Sequence, residues 1–226
     1  MGTITLNKNN RLFWLGRYAE RLCQGVSKVR TIQDELLDGD PATAQTLCAN
    51  LGLSVVYDTA DEACNHYCFD RALPESLLSA ADAMIGNGMV LRELLGTPTL
   101  SYLQMAVTAL ETAATHGNSC AIELQWVIDD IMAFRGSYND AIDSEEIRNI
   151  IKSGASVERL SSLIRFGQAK EEDLRKEVMR LLNRLYKTHL THQDAQLARI
   201  QAFAFGEEGQ PDSYALLQCV EGLFVI

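Results

Sequence analysis

A chain of 226 residues with 47% hydrophobic and 22% charged side chains is too apolar for a disordered protein and long enough to bury one substantial core. Its net charge of −10 excludes a general nucleic-acid or anionic-membrane partner, because phosphate binding needs clustered Lys and Arg. The segment Met1 to Lys8 lacks the apolar core of a signal peptide, no run reaches membrane-span length, and only 4 prolines occur, so a single domain over 1–226 in the cytoplasm is expected.

From Asn9 to Asp38, apolar residues recur at three- and four-residue steps (Leu12, Leu15, Ala19, Leu22, Val26, Val29, Ile32, Leu36), which predicts a long amphipathic helix. Asn9 or Asn10 could cap its start and Gly39 could end it in a left-handed turn. Asp40-Pro41 then reads as the opening of a short second helix. Leu53 to Tyr57 is β-leaning but isolated, and Thr59 to Cys68 reads as another short helix.

Pro74 is expected to start a helix that reaches Leu95 through Leu77, Leu78, Ala81 and Met84. Gly86-Asn87-Gly88 interrupts it, and two mid-helix glycines cost roughly 1 kcal/mol each relative to alanine, so close helix packing, a kink or a ligand groove should require them. Gly96-Thr97-Pro98 marks a boundary before a helix ending at His116-Gly117-Asn118. Cys120 to Phe134 follows, with a loop expected around Gly136.

Ser144-Glu145-Glu146 resembles a capped start for a helix reaching Phe166, with acids placed at the positive end of the dipole. Lys170 to Tyr186 is strongly periodic, and Gln193 to Phe203 adds a last helix before a Gly206–Pro211 break. The apolar end, Leu223 to Ile226, is expected either to pack on the body or to dock a partner. The fold expectation is all-α, a bundle of about seven to nine helices.

Six cysteines are scattered without a CxxC pair and read as reduced, buried thiols. Cys64 and Cys68 flank His66 at helical spacing, but no second ligand pair accompanies them, so no metal site is expected. No Gly-rich phosphate loop, nucleophile arrangement or Glu-x-x-His pair occurs either, so neither a cofactor nor a di-metal bundle is indicated.

The chemistry-bearing pattern is Gly16-Arg17-Tyr18-Ala19-Glu20-Arg21-Leu22, whose Gly-x-x-x-Glu-Arg-Leu spacing returns at Gly154-Ala155-Ser156-Val157-Glu158-Arg159-Leu160. Two such helices packed glycine to glycine would bring Glu20, Arg21, Glu158 and Arg159 together. Interhelical Glu–Arg bridges are one outcome, since buried charges need partners. The other is a polar pocket in which arginines clamp an anionic group and a glutamate serves as base or ligand.

Leu12 to Arg21 resembles the opening signature of the bacterial alpha-E family, formerly a domain of unknown function. The likeness continues through Phe69-Asp70-Arg71-Ala72-Leu73-Pro74-Glu75-Ser76, Asn87 and Arg92-Glu93, and ends at Gly154, Glu158 and Arg159. The chain departs from it at Ile85, Gly86 and Met89, where the family has an acid and two bases, and at Ala155, where Arg is common.

The family is associated with circularly permuted ATP-grasp ligases and transglutaminase-like proteins. The resemblance therefore implies an accessory or scaffold role beside an amide- or peptide-forming ligase, with that ligase or another protein of its pathway as partner. The alternative is an enzyme or small-molecule binder using Arg17, Glu20, Arg21, Asn87, Arg92, Glu93, Glu158 and Arg159. The sequence leaves a homo-oligomer open.

Overall fold

A computed structural model describes residues 6–37, 44–53, 57–116, 120–167 and 169–225. It is all-α, with ten helices among the described residues and no strand beyond one isolated bridge. None of these helices is long and apolar enough to cross a membrane. The chain divides into two compact units, one from the described residues of Met1–Arg17 and Ile142–Ile226, the other Tyr18–Ala141.

The first helix, α1 (Leu6–Leu37), contributes its residues up to Arg17 to the terminal unit and the rest to the central one. Its apolar ridge is buried as the periodicity predicts, with Leu12, Leu15, Leu22 and Val26 fully covered. The helix starts earlier than Asn9, so Asn9 and Asn10 lie within it rather than capping it. The proposed stop at Gly39, the Asp40-Pro41 start and most of the β-leaning stretch lie outside the described residues, as do Gly117, Asn118 and Ile226.

In the central unit α2 (Ala44–Leu51) leads to α3 (Ala60–Phe69), whose Thr59 hydroxyl accepts the Glu62 N–H. Next, α4 (Leu77–Val90) begins at Ser76, not at Pro74. The buried Ser76 hydroxyl accepts the Ser79 N–H, which satisfies a donor that proline geometry alone would leave open. Gly86 and Gly88 stay helical, and α4 ends at Val90, five residues short of Leu95, which belongs to the first turn of the next helix.

The next helix, α5 (Arg92–His116), bends at Gly96, whose φ of 73° only glycine adopts without strain; this is the break marked by Gly96-Thr97-Pro98. Then α6 (Ala121–Ala141) runs straight through Gly136, so the expected loop is helix. Its stripe of Leu124, Val127, Ile131, Phe134 and Tyr138 is buried, and the packing energy of that continuous stripe outweighs the local cost of one glycine.

The terminal unit holds α7 (Glu145–Arg165), α8 (Glu171–Leu185), α9 (Asp194–Phe205) and α10 (Ser213–Glu221). Ser144 caps α7 as expected, and Gly206 closes α9 in the left-handed conformation. The helix α10 has no counterpart among the expected helices; Asp212 caps it by accepting the Ala215 N–H. The C-terminal tail packs on its own unit: Leu223 is fully buried, Phe224 meets Phe13 at 4.9 Å, and the Gln193 and Val225 N–H groups bond to Leu223 and Thr191 carbonyls.

Candidate functional site

In the terminal unit the two motif glycines lie at one helix crossing. A Cβ on Gly16 would overlap the Ile151 carbonyl, and one on Gly154 would overlap that of Phe13. The backbones of α1 and α7 therefore touch, which no residue with a side chain would allow. Ala155 sits at the same crossing, its amide nitrogen 3.2 Å from where a Gly16 Cβ would stand.

One turn beyond Gly154, Glu158 receives Arg17. The guanidinium puts Nε 2.9 Å and Nη2 2.8 Å from the same carboxylate oxygen, and both side chains are almost enclosed. The Trp14 ring lies under the guanidinium at 4.9 Å, so the cation is covered by an aromatic face as well as paired. This is a Glu–Arg bridge between the two motif helices, with Arg17 as a basic partner of Glu158.

Arg159 points instead to α8, where its Nη1 lies 3.5 Å from Glu177. Glu177 is buried and collects further partners: the Ser156 hydroxyl donates at 2.8 Å, Arg180 donates at 2.8 Å, and Arg184 lies 3.8 Å away. Arg184 also donates to the Ser156 hydroxyl and to the Lys152 carbonyl. Burial alone would raise the Glu177 pKa, yet the hydrogen bonds from Arg180 and Ser156 and the charges of Arg159 and Arg184 hold it below the usual glutamate value. At the edge of the same cluster, burial first and then Arg184 and Arg148 lower the pKa of Lys152.

In the central unit Glu20 is completely buried. Arg135 donates to one of its oxygens at 2.5 Å and Gln24 to the other at 2.8 Å. The Arg21 guanidinium lies 5.8 Å from the Tyr18 ring centre. Asn87 is half-buried in α4, while Arg92 and Glu93 are exposed in the first turn of α5, with Glu93 favourably placed at the positive helix end. Of the expected set, Glu20, Arg21, Asn87, Arg92 and Glu93 belong to the central unit and Arg17, Glu158 and Arg159 to the terminal one, where Arg17 and Glu158 form a pair.

Four partners of the motif charges were not expected from the sequence: Gln24, Arg135, Ser156 and Glu177. A signal existed for the last, because Glu177 occupies the apolar phase of α8 between Leu174 and Leu181, where an acid has to find cations. Arg135 carries no such signal, since the expected helix stops at Phe134 and Gly136 is expected in a loop. Cys64 and Cys68 are buried, and burial drives the Cys64 thiol up to about 12 and that of Cys68 well above its ordinary value, so they fill space as neutral thiols. His66 turns to Asp70 at 3.0 Å and stacks on Tyr57.

A family model described as a predicted alpha-helical domain with a conserved ER motif matches residues 9–208. The Glu-Arg pairs 20–21 and 158–159 both fall inside that span. Comparison with curated proteins and with solved structures gives no match.

Proposed function

The chain belongs to the alpha-E family, and from that premise we propose that it is an accessory or scaffold protein acting beside an ATP-grasp-type amide or peptide ligase in the bacterial cytoplasm. The observation that carries the non-catalytic half of this reading is the pairing of the motif charges. Glu158 is covered by Arg17, Glu20 by Arg135 and Gln24, and Arg159 reaches a glutamate already bonded by Ser156 and Arg180.

A general base needs an accessible lone pair and a proton affinity near the working pH. Carboxylates enclosed against guanidinium groups lack the accessible lone pair, and their pairing joins helices instead. The uncharged Ile85, exposed Gly86 and exposed Met89 on α4 point the same way, because a charged cluster of the family pattern is missing there. The ligase half of the reading rests on the family's association with such enzymes.

The test is co-expression with an ATP-grasp-type ligase from the same organism, followed by affinity purification and assay of amide-bond formation. Joint elution and altered ligase turnover are expected. Repeated recovery of the chain alone, with turnover unchanged by its presence, would defeat the proposal. A Glu20→Gln or Arg21→Ala variant that remains folded yet abolishes turnover of a small-molecule substrate would instead establish the pocket enzyme as the correct reading.

A further inference from the structure

The central unit carries an open groove of about 540 Å³ between α5 and α6. Its apolar surface comes from Met105 and Trp126, which are 51% and 50% exposed, with Ala109 buried beneath them. Ile122 continues the row one turn before Trp126 and is 64% exposed. Large apolar side chains held half in water at a concave surface mark a binding site more often than a resting surface.

The polar lining narrows the occupant. The hydroxyls of Ser101, Thr108 and Thr112 all donate to the carbonyl four residues back, at 2.9, 3.0 and 2.8 Å, so they offer a ligand little hydrogen-bonding capacity. Besides the neutral amide of exposed Gln104, what remains is acid. Asp129 has one oxygen bonded by Gln125 and no cation, and Asp130 has no ion pair among the described residues. Burial first, and then the neighbouring Asp129, raise the Asp130 pKa, as expected of two adjacent carboxylates without a counter-charge.

From Ser101 to Thr112 the α5 wall spans roughly 16 Å, about three helical turns. We propose that this groove is a docking site for a basic amphipathic helix of a partner protein, its apolar row seated against Met105 and Trp126 and its Lys or Arg side chains against Asp129 and Asp130. Charge complementarity selects this occupant: an acidic or neutral segment would leave both carboxylates desolvated and unpaired, whereas a basic one neutralises them. The proposal rests on the accessory reading only in taking the partner to be a protein, and its test needs no ligase.

The probe is a fluorescein-labelled peptide of about 14 residues with a Leu-Lys-Lys-Leu-Leu-Lys-Leu repeat, titrated with the full chain and followed by anisotropy, beside a counterpart with Glu for every Lys. Saturable binding of the Lys peptide alone is expected. It should weaken at least about tenfold in Trp126→Ala and in Asp129→Asn/Asp130→Asn, and stay unchanged in Glu172→Gln/Asp173→Asn, which removes two charges from exposed positions on α8. No binding by the wild-type chain, or equal weakening by both pairs of charge substitutions, would overturn the proposal; so would binding that ignores Trp126→Ala. A dimer that dissociates on Trp126→Ala would also overturn it, by making a second copy of the chain the occupant.

Discussion

At the scale of single residues, the motif is built around two glycines and the acids that follow them. Gly154→Ala places a methyl group on the Phe13 carbonyl, and because the obstacle is backbone it cannot rotate away. A loss of about 3 kcal/mol is expected, read as a lower urea midpoint with an unchanged slope. Glu177 supplies a pH test. Its folded pKa lies below the ordinary 4.5, so the unfolded chain takes up the proton first as pH falls. The stabilisation it gives is complete above the unfolded value and is lost as pH drops through the folded one. Glu177→Gln should therefore cost about 2 kcal/mol at pH 7 and shrink that acid-dependent loss, measured by thermal melts from neutral pH down to the acid limit of folding.

At the scale of elements, the glycines of α4 have opposite surroundings although only one residue separates them. A Cβ on Gly86 meets nothing within 4 Å, while one on Gly88 comes within 2.9 Å of Leu103 and 3.1 Å of Leu100 on α5. Close helix approach thus accounts for Gly88, and Gly86 has no packing reason for being glycine. Gly86→Ala should stabilise the protein by up to about 1 kcal/mol through helix propensity. Gly88→Ala should gain less or lose, since two leucine ends have to shift. Paired melting curves of the two variants decide this, and equal gains would refute the α4–α5 contact.

At the scale of the whole molecule, charge is the dominant property. The net charge of −10 sets a mutual repulsion between copies at neutral pH, and the sequence isoelectric point is about 4.9. Light scattering should therefore rise towards pH 4.9 and fall again at higher pH, with added salt weakening the repulsion at pH 7. A scattering maximum far from that pH would mean that association is driven by apolar surface, for which the exposed Met105 and Trp126 are the first candidates to substitute.

The sequence by itself determined the all-α class and the helices other than α10, because a 3.6-residue apolar period and a capping residue such as Ser144 act within a few residues of chain. It offered a glycine-to-glycine crossing as one arrangement of the two motif helices, and the backbone contacts of Gly16 and Gly154 are that crossing, whereas Gly86 and Gly136 are helix-interior glycines that no contact requires. It misplaced the start of α4 and the continuity of α6 because single prolines and glycines are weak signals beside a buried stripe. Only the tertiary structure decided which arginine meets which glutamate. Arg17 with Glu158, Arg135 with Glu20 and Arg159 with Glu177 are pairings between distant stretches of chain, fixed by where packed helices place their side chains and by the cost of burying a carboxylate without a cation.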